Sequence, residues 1–556
     1  MHNANLNRRT FIGAGAAALA LPYQAVAANQ ERPNVILVMT DDQGYGDLGV
    51  HGNDKIRTPH LDAFAKQSVH IPHFYVCPVC APTRACLMTG RYNYRTGVVD
   101  TYIGRAMMHS EETTLAEMLS GAGYKTGIFG KWHLGDNAPL RASEQGFQES
   151  LVHMGGGIGQ PSDPPGNRYF DPKLSHNGET KTYNGYCTDI FADACIDFIQ
   201  QNKEQPFFAY LATNAPHTPL QIHADYVKPY LDMGLDETTA KVYGMVENID
   251  DNMGKLMSAL ERLDLVDNTI VIFMTDNGPQ QKRYTANLRG RKGSVYEGGV
   301  RVPFYIRWPK RLQAGASVDR IAGHIDITPT ILEACGVNKP QEIAFDGKNL
   351  MPLLEKKPTA WPDRNLYFQW HRGDVPQRFE ACAVRGQRYK LVNGKELYDI
   401  ENDPGETTNI ASQHPNIVAK MRQEYLDWYR DVSGERGYSP PLIHIGSPDE
   451  NPTILTPQDW RGPDAGWNKN SVGYWEVNVL EDKRYDVRLR FKRAPQKGVA
   501  YFKLRSVLLA QELKAGSDSL TFASVKLPKG PARLEAWIDF GDQAVGMQYV
   551  DVFQTD

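Results

Sequence analysis

Residues 35–42 read VILVMTDD, an apolar run of five residues that is followed by a threonine and two aspartates. Residues 269–278 (TIVIFMTDNG) repeat this pattern, and residues 207–217 (FFAYLATNAPH) again place a polar turn after an apolar run. Short apolar runs that are rich in branched residues and closed by polar turns are typical of buried strands in a parallel sheet. We therefore predict three buried strands, each with polar residues at its carboxyl end.

Helical patterns lie between these runs. Residues 114–122 and 242–263 carry such patterns, and in the second the apolar residues recur at a spacing of three to four. Strands that alternate with helices predict a layered α/β domain, which we place at residues 31–357. Functional sites of such sheets lie at the carboxyl ends of the strands, which is where the polar clusters of this chain fall.

The pattern changes towards the C-terminus. Two hairpin strands between residues 389 and 399 and a helix at residues 415–430 predict a smaller α+β subdomain at residues 363–433. Residues 434–464 are rich in Pro, Gly and Asp, which indicates a linker. The remaining chain alternates apolar and polar residues with period two, so we predict an accessory antiparallel β-sandwich at residues 465–556.

The composition excludes some classes of function. At 556 residues the chain is longer than one core usually organises, so two or three domains are expected. The formal net charge is −4 and no tail is basic, which gives no reason to expect nucleic acid binding. An anionic substrate would have to be held by local cations. Seven cysteines are too few for a disulfide scaffold, and their odd number leaves at least one thiol unpaired within the chain.

The N-terminus predicts export. Arg8 and Arg9 precede a weakly apolar Ala/Gly stretch and then Ala25-Val26-Ala27, a pattern typical of a twin-arginine signal peptide over residues 1–27. The alternative is a membrane anchor, but the apolar run at residues 13–21 is far shorter than the roughly 20 residues that a span needs. We expect the twin-arginine export machinery to deliver the protein to the periplasm or the extracellular space, with no stable membrane anchor.

Four polar residues at strand ends predict a metal site. Asp41 and Asp42 follow one predicted strand, and Asp276 and Asn277 follow another. Taken alone, each pair could simply cap the turn after its strand. Together they supply three carboxylates and an amide oxygen, which are hard ligands suited to calcium or magnesium. Because no His/Cys set has zinc spacing, we predict one calcium ion instead.

Residues 80–84 (CAPTR) resemble the signature of the sulfatase family, in which a cysteine two residues before a proline and four before an arginine is oxidised to formylglycine. Cys80 alone fits, since Cys77 and Cys86 lack the proline and arginine at these offsets. A hydrated aldehyde attacks sulfur with one hydroxyl and expels sulfate with the other as the carbonyl re-forms. The resemblance implies that a formylglycine-generating enzyme matures the protein and that an oxygen at Cys80 completes the calcium shell. Thr83 departs from the family, which most often has serine there.

Three further segments match the family in order. They read GKWHLG at residues 130–135, NAPH at residues 214–217 and LRGRKGSVYEGG at residues 288–299. The likeness extends over roughly residues 33–403 and implies the alkaline-phosphatase-like α/β fold. Without the family resemblance, the lysine of GKWHLG would be interpreted as a solvated surface side chain and its histidine as a packed one.

The resemblance also implies roles for individual residues. In the GKWHLG segment, Lys131 would contact the diol and the sulfate, and His133 would remove the diol proton during sulfate release. The bound sulfate would be neutralised jointly by Arg84, Lys131, Lys292 and His217. Protonated His217 or Lys292 would give a proton to the leaving oxygen. The catalytic set implied in this way is Cys80, Arg84, Lys131, His133, His217 and Lys292.

Family membership does not determine which ester is cleaved. Export favours a sulfated carbohydrate, and so does an aromatic and cationic cluster of Trp370, His371 and Arg372, which is suited to stacking a sugar and pairing with an anion. The alternative for this cluster is a structural turn of the smaller subdomain. Tryptophans of the β-sandwich could also stack on sugars, although aromatic residues in sandwiches are more often part of the core.

Two other functions stay open at this point. One is hydrolysis of phosphonate or phosphate esters, because some relatives use the same diol on those substrates. The other is carbohydrate binding by a protein with an inactive catalytic domain. The complete catalytic set argues against the second alternative.

Overall fold

The computed structural model describes residues 32–357 and 360–555. The predicted signal peptide at residues 1–27 lies outside these residues. Among the residues that are described, no helix combines the length and the apolar character needed to cross a membrane. All seven cysteines lie in this part of the chain, and each is a buried free thiol.

The N-terminal domain, residues 32–357, alternates strands and helices as the sequence pattern indicates. Its strands are β1 (Asn34–Thr40), β2 (Val69–His70), β3 (Phe74–Tyr75), β4 (Lys125–Lys131), β5 (Glu149–His153), β6 (Lys173–His176), β7 (Glu179–Thr182), β8 (Phe207–Ala212), β9 (Thr269–Thr275), β10 (Phe304–Arg307) and β11 (Ala322–Gly323). Its helices are α1 (Pro59–Lys66), α2 (Cys80–Thr89), α3 (Asn93–Thr96), α4 (Leu115–Gly121), α5 (Cys187–Gln201), α6 (Ala224–Asp232), α7 (Glu237–Arg262), α8 (Glu297–Val300), α9 (Ile327–Ala334) and α10 (Met351–Leu354).

One nine-stranded sheet organises this domain, in the order β2-β10-β9-β1-β8-β4-β5-β6-β7. Strands β9, β1, β8, β4 and β5 are parallel, and the outer strands pair antiparallel. The three predicted buried strands are β1, β8 and β9, and each is confirmed. Because β1 lies between the other two, the polar residues that follow these three strands come to the same edge of the sheet.

Both faces of the sheet are covered. Val35, Leu37 and Met39 of β1 pack in one core with residues of α2, α4 and α9. Ile36 and Val38 point to the other face and pack with residues of α1, α5 and α7. Burying each of these side chains contributes about 1.5–3 kcal/mol, so the alternation along β1 secures both layers of helices.

The smaller C-terminal subdomain follows. It has four strands that pair antiparallel in chain order, β12 (Leu366–Gln369), β13 (Cys382–Arg385), β14 (Tyr389–Val392) and β15 (Glu396–Asp399), and one long helix, α11 (Pro415–Gly434). Tyr425 and Trp428 of the helix pack on Phe368 and Leu391 of the sheet. The predicted hairpin and helix are both present, which agrees with an α+β subdomain.

The last part of the chain is a β-sandwich. Its strands are β16 (Ile443–Ile445), β17 (Thr453–Leu455), β18 (Tyr474–Val479), β19 (Lys483–Arg490), β20 (Gly498–Leu504), β21 (Val507–Leu513), β22 (Ser519–Leu527), β23 (Gly530–Asp539), β24 (Ala544–Gly546) and β25 (Tyr549–Gln554). One sheet has the order β16-β18-β23-β20-β21, with β24 paired to β23, and the other has the order β17-β25-β19-β22. The sandwich core includes Ile103, Met107 and Leu140 of the N-terminal domain, so the two domains share buried surface.

The stretch at residues 434–464, which we predicted as a linker, contributes β16 and β17 to the two sheets. Both are edge strands of three residues, which is too short to show an alternating pattern. Edge strands also tolerate the prolines and glycines that made this stretch resemble a linker. The structured sandwich therefore begins before residue 465.

The tryptophans of the sandwich divide between core and surface. Trp460 and Trp475 are buried and belong to the core, and Trp537 is half-buried and stacks on Tyr501 with ring centroids 4.9 Å apart. Trp467 differs, because 42% of it is exposed. Of the four tryptophans that the sequence offered for sugar stacking, Trp467 is the one that presents such a surface.

Candidate active site

The four polar residues at the ends of β1 and β9 lie together. The backbone N–H of Asp276 donates to Thr40 O over 3.1 Å, and the N–H of Asp42 donates to Asp276 Oδ1 over 3.3 Å. The Asn277 amide donates to Asp42 Oδ1 over 2.7 Å. All four side chains are fully buried. The parallel pairing of β1 with β9 therefore joins two sequence motifs that are more than 200 residues apart.

Three cations contact this cluster, one on each carboxylate; Lys131 and Arg84 are buried and Lys292 is partly buried. Lys131 Nζ lies 2.7 Å from Asp41 Oδ2, Lys292 Nζ lies 2.6 Å from Asp42 Oδ1, and Arg84 donates to Asp276 Oδ2 over 2.8 Å. These cations come from the end of β4, from the loop before α8 and from α2. Buried charges need such partners, because desolvation of an isolated ion costs several kcal/mol.

Cys80 is the first residue of α2 and is buried beside the carboxylates. Its Sγ and one oxygen each of Asp41 and Asp276 lie within 4.8 Å of one another. The start of a helix carries partial positive charge, which favours a negatively charged group there. Burial raises the pKa of the Cys80 thiol, and burial with the nearby Asp41 raises the pKa of Asp276 to about 6. An unmodified thiol at this position would therefore stay neutral and be a weak nucleophile.

The donor set fits a hard cation. Asp41 Oδ1, Asp42 Oδ2 and Asn277 Oδ1 are buried and have no hydrogen-bond partner within residues 32–357 and 360–555. Such oxygens cost free energy unless something satisfies them. Because carboxylate and amide oxygens are the ligands that calcium prefers, these three atoms match the expected chemistry.

The two histidines of the predicted set are held by backbone carbonyls. His133 Nε2 lies 2.8 Å from Thr101 O, and His217 Nδ1 lies 2.7 Å from Thr218 O. A carbonyl oxygen only accepts, so each of these nitrogens carries a proton and the other ring nitrogen is left as an acceptor. The free atoms are then His133 Nδ1, which is buried without a partner in the described chain, and His217 Nε2, 3.8 Å from Asp42 Oδ2.

The environment of these groups also sets their charge. Burial and the neighbouring Lys292 lower the pKa of His217 to about 3, and burial with the nearby Lys131 lowers the pKa of His133. Burial alone would lower the pKa of Lys292 as well, but Asp42 outweighs it and raises that pKa above its ordinary value. The cluster therefore combines a charged Lys292 with neutral histidines.

Two glycines that the sequence did not single out line the histidines. A Cβ on Gly156 would lie 2.6 Å from His133 Nε2, and a Cβ on Gly157 would lie 3.0 Å from the His217 ring. Any side chain at these positions would displace a histidine. A glycine run alone indicates a turn, so only the tertiary structure identifies this contact.

Trp370, the first residue of the predicted Trp370, His371 and Arg372 cluster, lies beside the loop that carries Lys292. A Cβ on Gly293 would be 3.2 Å from the Trp370 ring. Trp370 Nε1 and Arg372 both donate to the buried carboxylate of Asp100, over 3.0 Å and 2.8 Å. His371 is within 3.3 Å of the Tyr94 hydroxyl. Asp100 is a further residue that sequence reasoning missed, and it fixes the side chains of Trp370 and Arg372.

The β-sandwich also reaches the site. Gln458 Nε2 donates to Thr101 O over 3.1 Å, and this is the same carbonyl that accepts from His133. The N–H of Gly104 donates to Gln458 O over 3.1 Å, and Arg461 donates to Gly104 O over 3.3 Å. The loop that orients His133 is thus held from the sandwich side, by residues that we had placed in a linker.

Two family models match the chain. The sulfatase model matches residues 33–337, and the model described as N-sulphoglucosamine sulphohydrolase, C-terminal, matches residues 291–430. N-acetylgalactosamine-6-sulfatase of Homo sapiens is 33% identical over 414 residues, which cover 69% of this chain and 77% of that protein. Human arylsulfatase A is 29% identical over 470 residues, which cover 76% of this chain and 88% of that protein.

Solved structures agree with these relatives. The crystal structure of Ps i-CgsB in complex with k-i-k-neocarrahexaose superposes with a TM-score of 0.66 at 30% identity, and covers 73% of this chain and 95% of that one. The expected alkaline-phosphatase-like α/β fold is confirmed by such neighbours. The chain is a sulfuric ester hydrolase, and it belongs to the sulfatase family.

Proposed function

We propose that this enzyme removes sulfate from a sulfated carbohydrate, with a nucleophile made from Cys80 and one bound calcium ion. The observation that carries the proposal is the burial of Cys80 at the start of α2 among Lys131, Lys292 and the free carboxylate oxygens. The named relatives support the substrate class, since one is an N-acetylgalactosamine-6-sulfatase and another was solved with a neocarrahexaose.

Asp41, Asp42, Asp276 and Asn277 would hold the calcium, together with an oxygen at position 80. When bound, the ion would polarise the sulfate group and favour deprotonation of the attacking hydroxyl. Lys131 and Lys292 are placed to bind the anionic sulfate oxygens, because each directs its ammonium group into the carboxylate cluster. Arg84 keeps Asp276 in place by donating to its carboxylate.

The histidines divide the proton transfers. His133 would accept a proton at Nδ1 during sulfate release, since Thr101 O holds its other nitrogen as a donor. Lys292, which carries its proton already, or His217 after protonation at Nε2 would give a proton to the alcohol that leaves. Trp370, His371 and Arg372 would contact the sugar, because Trp370 lies beside the loop that carries Lys292 and Arg372 lies 4.9 Å from the centroid of its ring.

The direct test is desulfation of a panel of defined sulfated mono- and oligosaccharides, followed by product analysis. We expect release of sulfate from at least one sugar sulfate with the carbon–oxygen bond kept intact. Mass spectrometry of the peptide around residue 80 should show an aldehyde in the active preparation. Activity on phosphonate or phosphate esters alone would contradict the proposal.

Maturation and export form part of the same proposal. A formylglycine-generating enzyme would modify Cys80, and the twin-arginine machinery would then export the protein to the periplasm or the extracellular space. Fractionation of expressing cells should recover mature enzyme outside the cytoplasm. Replacing both Arg8 and Arg9 with Lys should leave it inside.

Leaving-group dependence separates the proton donor from the residue that releases sulfate. Replacing His217 with Ala should slow sugar sulfates far more than 4-nitrophenyl sulfate, because a good leaving group needs little protonation. Replacing His133 with Ala should slow both substrates to a similar limiting rate, with a rapid burst of released alcohol. Identical leaving-group dependence in the two variants, with no burst in either, would show that these roles are assigned wrongly.

The sandwich contact with Thr101 predicts a smaller effect. Replacing Gln458 with Leu removes one hydrogen bond, worth about 1 kcal/mol, so turnover should fall about fivefold. KM for 4-nitrophenyl sulfate should stay nearly constant, since Gln458 acts through Thr101 and His133. Replacing the exposed Asn468 with Ala in the same segment is the matched control. An unchanged turnover in the Gln458 variant would contradict this positioning role.

A further inference from the structure

A cleft of about 530 Å3 lies between the β-sandwich and residues 159–166 of the N-terminal domain. Its sandwich wall carries Trp467, Lys469, Lys492 and Arg493. The volume is within the range of roughly 300–1,000 Å3 that is typical of ligand sites. The residues that match the two family models end at residue 430, so this wall lies beyond the part of the chain that resembles the family.

The cleft carries positive charge. Lys469, Lys492 and Arg493 are exposed, and none is within ion-pair distance of a carboxylate in the described chain. Asp163 is the one acidic residue among the described residues that line the cleft, and it is buried. Its carboxylate accepts two backbone N–H groups and the Asn167 amide. An anionic ligand would therefore meet cations in this cleft without facing an exposed carboxylate.

One end of the cleft is next to the catalytic histidine. Gln160 lines the cleft, and its Oε1 accepts from the N–H of Gly156 over 3.1 Å. A Cβ on Gly157 would lie 3.0 Å from both the Gln160 amide nitrogen and the His217 ring. A single glycine therefore separates the lining of the cleft from a residue of the active site.

An aromatic and cationic wall connects the two sites on the other side. The rings of Trp467 and Tyr102 meet edge to face with centroids 5.1 Å apart. The Arg372 guanidinium lies 4.5 Å from the centroid of Tyr102 and 4.9 Å from that of Trp370. Trp370 in turn contacts the Gly293 position beside Lys292. Contacts thus run from the sandwich to the loop that carries Lys292.

We infer that this cleft binds the continuation of an anionic carbohydrate chain whose sulfated residue occupies the active site. Trp467 offers a ring face to a sugar, and Lys492 and Arg493 pair with its anionic groups. The inference rests on the proposed function and narrows it: the substrate is a sulfated oligo- or polysaccharide, which the sandwich helps to select over a monosaccharide.

The test compares binding and turnover along a size series. Enzyme with Cys80 replaced by Ala, which binds without turnover, is titrated calorimetrically with sulfated galactan and chondroitin sulfate hexasaccharides, their desulfated forms and the matching monosaccharides. We expect a sulfated hexasaccharide to bind at least tenfold more tightly than its monosaccharide. Lys492→Gln with Arg493→Gln should weaken that binding roughly three- to tenfold at low salt and little at high salt. Trp467→Ala should weaken it at both.

The matched control is Arg488→Gln with Lys526→Gln, which removes two exposed cations from the outer face of β19 and β22. Equal weakening by the control pair, or hexasaccharide binding that neither the charge variant nor Trp467→Ala changes, overturns the inference. So does hexasaccharide binding no tighter than that of the monosaccharide. Desulfation by the unmutated enzyme is measured on the same series. If sugar sulfates are cleaved but longer chains are cleaved no faster, only the inference about the cleft is contradicted. If aryl sulfates are the only substrates cleaved, the proposed function is contradicted.

Discussion

Replacing Cys80 with Ser should lower turnover by roughly four orders of magnitude or more, the size of loss seen when a nucleophile is removed. A serine hydroxyl can attack sulfur at best once, because it lacks the second hydroxyl that would expel sulfate. Folding should be preserved, since the two side chains differ by one atom and Cys80 makes no disulfide. Turnover of 4-nitrophenyl sulfate and the unfolding temperature measure the two effects.

The control for this prediction is the unmutated chain made in a host without a formylglycine-generating enzyme. Its peptide around residue 80 should retain the thiol, and its turnover should be as low as that of the serine variant. Burial raises the pKa of the Cys80 thiol, so the unmodified group offers little thiolate. Full activity with an unmodified cysteine would refute the mechanism.

The second large effect concerns the metal. Saturating calcium at about 100 times its Kd should stabilise the enzyme by about 2.7 kcal/mol, seen as a rise in the unfolding temperature relative to chelator. Replacing Asp42 with Asn removes one negative ligand of nearly the same shape. We expect this calcium-dependent rise to shrink and turnover to fall roughly a hundredfold or more.

Asp399→Asn in β15 is the matched control, because it removes the same charge from a partly exposed pair with Arg388. Its calcium response should equal that of the unmutated enzyme. The comparison uses the calcium-dependent rise in unfolding temperature within each protein. Any stability that the variant loses because the Asp42–Lys292 ion pair is missing therefore cancels. An unchanged calcium response in the Asp42 variant would place the ion elsewhere.

The structure predicts a larger loss of stability for Asp276→Asn than the sequence does. From the sequence, Asp276→Asn would be expected to reduce activity much more than stability, because the shape is nearly preserved. Arg84 is buried and directs two nitrogens at Asp276 Oδ2, so the variant would leave a buried guanidinium without its counter-charge. Breaking such a pair typically costs about 3–5 kcal/mol, so stability should fall as well.

Local patterns in the sequence were enough to predict the fold class, the family and the enzyme class. The runs before Asp41 and Asp276 are strands because short branched apolar stretches fit a sheet that is buried on both faces, and this depends on neighbouring residues only. The residues 80–84 pattern and its companions occur in family order, so the chemistry could be inferred from the linear chain. Helix α11 and the hairpin β14–β15 were likewise visible as local periodicity.

Contacts between distant parts of the chain could not be predicted in this way. Gln458 meets Thr101 across 357 positions, and short edge strands such as β16 look like a linker until their partners are known. The same holds for Arg84 on Asp276 and for Trp467, which packs on Tyr102 whereas Trp460 and Trp475 are buried in the sandwich core. Periodicity reports which face of an element is apolar, but the pairing of side chains from different domains depends on how those faces pack together.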